Sequence, residues 1–215
     1  MRVLITAGPT WEPIDRVRYI ANRSSGKLGL SIAQAAEQGG HDVTLLLGPG
    51  VQASRGGRTC YVDRFTTTGD LQHLLQKHFP SHDVLIMAAA VAEYRPAQVL
   101  EGKHGRNHTQ GRWHLELEPT PDLVAQVAAQ KQPHQRVIAF ALESDKSQKN
   151  LKKRAADKLE DKGVDAIVAN PLETMEADDI SPVWITPDHP PLAPGKMSKV
   201  AFGTWLFDRI NSMFG

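Results

Sequence analysis

Arg18, Asn22, Arg23, Ser24, Ser25, Gly26 and Lys27 stand within ten residues of one another, in a stretch that opens on Gly8-Pro9-Thr10. Two serines and a glycine at the start of a helix offer hydroxyls and uncovered backbone N–H groups, the equipment with which helix N-termini hold phosphate oxygens. The same serines could instead do no more than cap the helix, and the segment by itself leaves both readings open. Arg18 and Arg23 suit a carboxylate or a phosphate. Asn22 both donates and accepts, which suits an acyl group. Surface solvation is the plain alternative for such residues. Residues 8–24 nevertheless form a connection far longer than the about 2–6 residues usual between a strand and a helix, and long loops in compact domains are often functional.

These residues need elements to position them, and the chain alternates strand-like with helix-like segments. The spacing predicts strands over 2–7, 42–47, 59–65, 83–91, 136–142 and 164–169, with helices over 25–38, 69–78, 122–130, 146–162 and 198–213. Thr120 is the expected cap of the 122–130 helix, with Pro121 in its first turn. Residues 93–119 read as a β-hairpin excursion around a Gly/His/Asn-rich tip. Residues 171–197 carry six of the 14 prolines and read as an irregular loop with one short strand near 183–186. The expected fold is α/β: a Rossmann-like open, mostly parallel sheet with helices on both faces, in one domain over 1–215. Ligands of such sheets bind beyond the carboxyl ends of the strands. The G-x-G-x-x-G fingerprint of dinucleotide enzymes is absent after the first strand, which counts against a nicotinamide-dependent reductase.

Composition narrows the classes further. Lys+Arg 25 against Asp+Glu 24 gives a net charge of +1, without the broad positive surface of a nucleic-acid binder. The longest apolar run is the nine residues Val84–Ala92, against the roughly 20 that a membrane span needs. A single cysteine, Cys60, excludes an internal disulfide, and a cytoplasmic setting is expected.

The stretch GPTWEPIDRVRYIANRSSGKLG resembles the opening of phosphopantothenoylcysteine synthetase, the ligase of coenzyme A biosynthesis. The similarity recurs in order at AAAVAEYRP, TPDLV, AFALES, KLEDKGVDAIVAN and MSKVA, so it covers nearly the whole chain. The resemblance implies that CTP or ATP, accompanied by magnesium, activates the carboxylate of 4′-phosphopantothenate. Pyrophosphate leaves, and the amine of L-cysteine attacks the acyl-nucleotidylate. Members are often fused behind a flavin-dependent decarboxylase; the expectation here is the stand-alone form with no flavin.

By the same resemblance, Asn22 and Lys103 are the catalytic residues and Arg18 and Asn22 hold phosphopantothenate. Lys103 follows Glu93 at the family's interval of ten residues. Glu93 replaces an aspartate and is expected at the ribose or at the magnesium. The remaining nucleotide-binding set is Gly8, Thr10, Ser24, Ser25, Gly26, Ala89, Ala90, Val91, Thr120, Pro121, Asp122, Leu123, Phe140, Lys158 and Lys162, with Lys199 a further match. Phe140 would flank the base, the alternative being plain core packing; Lys158 and Lys162 share a helix face and would serve a triphosphate as point charges. A homodimer is implied, in which the hairpin around 98–115 covers the neighbour's site. A non-catalytic nucleotide-binding module is the remaining alternative, against which the presence of Asn22 and Lys103 argues.

Overall fold

A computed structural model describes residues 1–52, 60–103, 105, 112–143, 148–175 and 177–214. In chain order the first half holds β1 (Arg2–Ala7), β2 (Trp11–Pro13), β3 (Tyr19–Ala21), α1 (Lys27–Gln38), β4 (Asp42–Leu47), β5 (Cys60–Arg64), α2 (Thr68–His78), β6 (Val84–Met87) and β7 (Tyr94–Pro96). The second half holds β8 (Leu117–Pro119), α3 (Leu123–Gln130), β9 (Arg136–Glu143), α4 (Gln148–Lys162), β10 (Ala166–Pro171), β11 (Asp179–Ile180), β12 (Val183–Ile185), β13 (Met197–Ser198) and α5 (Lys199–Asn211).

Seven strands form one sheet in the order β12-β10-β9-β6-β1-β4-β5. Six run parallel, and β12 pairs antiparallel with β10. Runs such as Val84–Met87, buried at every residue, are what a parallel strand covered on both faces requires. One face packs Ile32 and Ala36 of α1 and Phe202, Leu206 and Ile210 of α5 against Val3, Ile5 and Ile86. The other packs Leu71 and Leu75 of α2, Leu123 and Val127 of α3 and Leu159 of α4 against Leu4, Leu85 and Val137. Winding reverses between β1 and β6, so the ligand crevice of such a sheet opens at their carboxyl ends.

The structure departs from the expected elements in five places. The 83–91 strand ends at Met87, because the chain leaves the sheet to meet the loop after β1. The long first connection contains an antiparallel ribbon, β2 with β3. The 171–197 segment holds three short strands: β12 joins the main sheet and β11 pairs with β13. The cap of α3 is Asp122, whose carboxylate accepts from Ala125 N–H at 3.1 Å; Thr120 does not cap it, and Pro121 precedes the cap. α1 begins at Lys27 with Gly26 as its N-cap. The expected hairpin excursion forms as β7 against β8; its tip at 104 and 106–111 lies outside the described residues.

Candidate active site

The loops after β1 and β6 are fastened together at the switch point. Pro9 and Ala90 form an isolated parallel bridge, Ala90 N–H donates to Gly8 O at 2.9 Å, and Thr10 N–H donates to Ala90 O at 3.2 Å. The half-buried loop 88–93 is held at almost every residue. Ala89 N–H donates to Thr6 Oγ1 at 3.0 Å, Ala92 N–H to Thr10 Oγ1 at 2.9 Å, and Thr120 donates to Ala92 O at 2.5 Å through its hydroxyl and to Glu93 O at 2.9 Å through its N–H. Asn22 reaches the same rim, its Nδ2 donating to Val91 O at 2.8 Å. Asn22, Ala89, Ala90 and Val91 therefore come together as expected. Thr10 is fully buried, so its hydroxyl serves the loop and lies out of a ligand's reach.

The N-terminus of α1 borders this rim without a side-chain cap. Ser24 and Ser25 accept only long bonds, from Gly26 N–H at 3.4 Å and Lys27 N–H at 3.5 Å. Gly26 sits at φ +71°, where a Cβ would stand 2.7 Å from Val51. Gly29, which the sequence reading passed over, lets α1 press onto β1: a Cβ there would meet that of Ala7 at 2.4 Å. Lys27 pairs with Asp178 at 2.9 Å. Nearby, Lys199 is buried and its ammonium donates to Ala177 O. Burial and the charge of Lys27 lower its pKa, and Asp178 opposes them.

Two arms of the excursion clasp the turn at 14–18. Leu100 N–H donates to Ile14 O at 2.9 Å and Arg16 N–H to Gly102 O at 3.4 Å. On the other arm, Trp113 lies 4.9 Å beneath the Arg18 guanidinium. Asp15, buried, accepts from the N–H groups of Val17 and Arg18 and from the Arg18 side chain, which fixes that arginine's direction. Lys103 follows directly on the clasp and is exposed, as is Glu93 at the end of the pinned loop. The clasp thus brings Lys103 to the turn that carries Arg18.

On the α3/α4 side, Lys162 bonds Asp122 at 2.7 Å and Lys158 bonds buried Glu143 at 2.6 Å. Burial opposes ionisation of Asp122, but the Lys162 ammonium and the α3 N–H groups outweigh it and hold its pKa below the usual range. Phe140 packs toward the opposite face of the sheet, edge-on to Phe202 at 6.2 Å, so it does not share a wall with Lys158. On that same face, at the carboxyl end of β10, stands Asn170. It is 5% exposed, and its Oδ1 has no hydrogen-bond partner. A buried acceptor left without a partner is costly. Spacing gives no signal for it. Among the described residues, no three His, Cys, Asp or Glu side chains cluster as metal ligands, and no helix is long and apolar enough to cross a membrane.

This arrangement defines a Rossmann-type α/β domain with its ligand rim at the β1/β6 switch point. The chain belongs to the family described as "DNA/pantothenate metabolism flavoprotein C-terminal domain", whose model it matches over residues 1–213. It is 40% identical over 171 residues to the coenzyme A biosynthesis bifunctional protein CoaBC of Vibrio cholerae, covering 79% of this chain and 41% of that protein. It is 38% identical over 172 residues to a cysteine/cysteine sulfinic acid decarboxylase of an unknown prokaryote, covering 80% of this chain and 46% of that protein. The chain thus spans less than half the length of these curated relatives. Among solved structures, the C-terminal domain of a CoaBC superposes with a TM-score of 0.80 at 31% identity, over 99% of this chain and 94% of that one.

Proposed function

We propose that the chain ligates 4′-phosphopantothenate to L-cysteine through an acyl-nucleotidylate formed from CTP or ATP. The observation that carries this reading is the anchoring of Asn22 to Val91 O, which sets an acyl-handling amide on the rim where a nucleotide of such a sheet would lie. The end-to-end match to the C-terminal domain of a bifunctional coenzyme A protein supports it. So does the 40% identity to the CoaBC of Vibrio cholerae.

Attack of the acid's carboxylate on the α-phosphate builds charge on the equatorial oxygens and on departing pyrophosphate, so fixed cations and aimed donors do most of the work. Lys103 supplies an exposed cation beside the clasp. The uncapped start of α1 faces phosphate with its N–H groups. Lys158 and Lys162 already neutralise Glu143 and Asp122 and would exchange part of that contact for phosphate. Arg18, stacked on Trp113 and steered by Asp15, would grip the substrate's own phosphate. Asn170 would complete the nucleotide's surroundings with its unpaired amide. Magnesium brought by the triphosphate needs few protein carboxylates, and the exposed Glu93 fits as one. The amine of cysteine then displaces the nucleotide at the acyl carbon, which Asn22 orients.

Val17, Tyr19, Tyr94, Val99 and Leu117 are exposed on the β2–β3 and β7–β8 ribbons and the connections beside them. An apolar set of that kind fits a second copy of the chain. The test is turnover with CTP, ATP, GTP or UTP. The expected result is pyrophosphate release that requires phosphopantothenate, with product that requires cysteine. Pyrophosphate release independent of the acid, or stabilisation by NADPH alone, would overturn the reading.

A further inference from the structure

We propose that Glu12 is a positioning residue for the ligation described above, on which this inference rests: it fixes the substrate rim from within the core through a one-way chain of hydrogen bonds. Glu12 lies on β2 and is 3% exposed. Its Oε1 accepts from both donors of Thr68, the N–H at 2.8 Å and the hydroxyl at 2.7 Å. With its proton committed to the carboxylate, the Thr68 oxygen turns its lone pairs toward Thr10 Oγ1, 3.4 Å away. Thr10 in turn must accept from Ala92 N–H at 2.9 Å.

A carboxylate can only accept, so it sets the polarity of every hydroxyl behind it. The chain therefore runs from Ala92 N–H through Thr10 and Thr68 to Glu12. Ala92 adjoins Val91, the acceptor of Asn22, and Glu93 at the rim. The capping box of Thr67 and Asp70 leaves the Thr68 N–H at the start of α2 to Glu12, but that bond alone does not require the carboxylate to take the Thr68 hydroxyl proton as well.

The experiment compares the full-length chain with E12Q, E12M, T10S, T10V and the E12M/T10V double variant, each assayed well below its melting temperature. E12M and T10V are expected to lose about 10- to 100-fold in kcat, the range for reacting groups displaced by roughly 1 Å, with KM for nucleotide little changed. E12Q and T10S, which keep the acceptor and the hydroxyl, should restore most of the rate. The double variant should be no slower than T10V alone, because both act through one chain. Hydrogen exchange at the Ala92 amide should quicken in E12M and T10V but not in E12Q.

Lower melting temperatures with parental kcat and unchanged Ala92 exchange would reduce Glu12 to a stabilising residue. If E12M does not fold, T10V against T10S decides by the same two readings. Should the parent itself fail to ligate, the ligase reading falls, while the exchange at Ala92 still decides whether Glu12 holds the rim.

Discussion

Gly29 is where α1 touches β1, and its replacement by alanine puts a number on how tightly the phosphate end of the site is built. The added methyl would stand 2.4 Å from Ala7 Cβ, 3.1 Å from Ala7 Cα and 3.2 Å from Thr6 O. Carbon atoms rest at about 3.5–4.0 Å, so the helix must withdraw by roughly 1 Å. It has little room to do so. On its far side Gly203 of α5 approaches so closely that a Cβ there would meet Ala35 at 2.8 Å and Ser31 O at 2.9 Å. Overpacking of this kind costs about 1–3 kcal/mol. The better helix propensity of alanine returns about 1 kcal/mol. With the contact at 2.4 Å and α5 backing the helix, the overpacking falls in the upper part of that range, about 2–3 kcal/mol, so a net loss of about 1–2 kcal/mol should lower Tm by roughly 2–8 °C in a chain of this size. The same retreat carries Gly26 and the two serines away from Gly8, so KM for nucleotide should rise more than kcat falls. Thermal melts and initial-rate kinetics on G29A check both. A variant that melts within about 1 °C of the parent and keeps its nucleotide KM would show the contact to be slack and the reasoning wrong.

Asn22→Asp replaces the donor to Val91 O by a carboxylate facing a carbonyl oxygen; pyrophosphate release should continue while transfer to cysteine slows, and a parental yield of product would contradict that. Lys103→Gln should slow the activation step by about 10²–10³, as loss of a charge-stabilising donor does, read as pyrophosphate released in a single turnover. Asn170→Leu removes a buried carbonyl oxygen without a partner, a group whose burial costs about 1–3 kcal/mol, so the variant should melt higher yet bind nucleotide more weakly; a lower melt would mean the amide is satisfied in the free protein. His82 donates from Nδ1 to His78 O (2.6 Å), and Nε2 of the neutral ring accepts from the Thr44 hydroxyl (2.9 Å). Burial lowers its pKa, the His78 carbonyl opposes this, and the charges of His78 and Arg2 add to the lowering. Its contribution to stability is therefore complete above the ordinary histidine range and is lost as pH falls through the depressed folded-state value. Melts from pH 8 to pH 5 should fall more steeply for the parent than for H82Q.

The fold was legible where one physical signal dominated. Val3–Ala7, Val43–Leu47 and Val84–Met87 read as buried strands because a sheet covered on both faces needs apolar side chains at nearly every position. The signal failed where short-range preference met a tertiary partner. Thr120 has a good cap side chain, but its hydroxyl proton goes to Ala92 O, and Asp122 takes the cap. Ala88–Val91 continue an apolar run and so read as strand, yet they are drawn out of the sheet by bonds to the β1 loop. β2, β3, β11 and β13 are two or three residues long, too short for alternation to show. In the site, the Lys158/Lys162 spacing does give one face, but the carboxylates that meet it, Glu143 and Asp122, come from segments no spacing rule links to it. Glu12 and Asp15 look like loop-surface residues in sequence; only burial reveals them as supports.

The dinucleotide fingerprint that the sequence lacks exists in space, in pieces. In the contiguous motif one glycine makes the turn after the strand, a second lets backbone approach the phosphates, and a third lets helix and strand close. Gly8, at φ +89°, makes that turn here, Gly26 opens the helix, and Gly29 closes it on Ala7. Between the first and second pieces the chain inserts the β2–β3 ribbon, whose turn holds Arg18 and whose exit holds Asn22. The insertion can be tolerated because both of its ends are fixed on the loop that follows β6, by Thr10 N–H to Ala90 O and by Asn22 to Val91 O. On the proposed function, one connection would supply the phosphate cradle at its two ends and the grip on a second substrate in its middle. A dinucleotide fold built with the short turn has no chain there from which to make that second grip, which is why the length of residues 8–24 carries more functional information than any single residue within it.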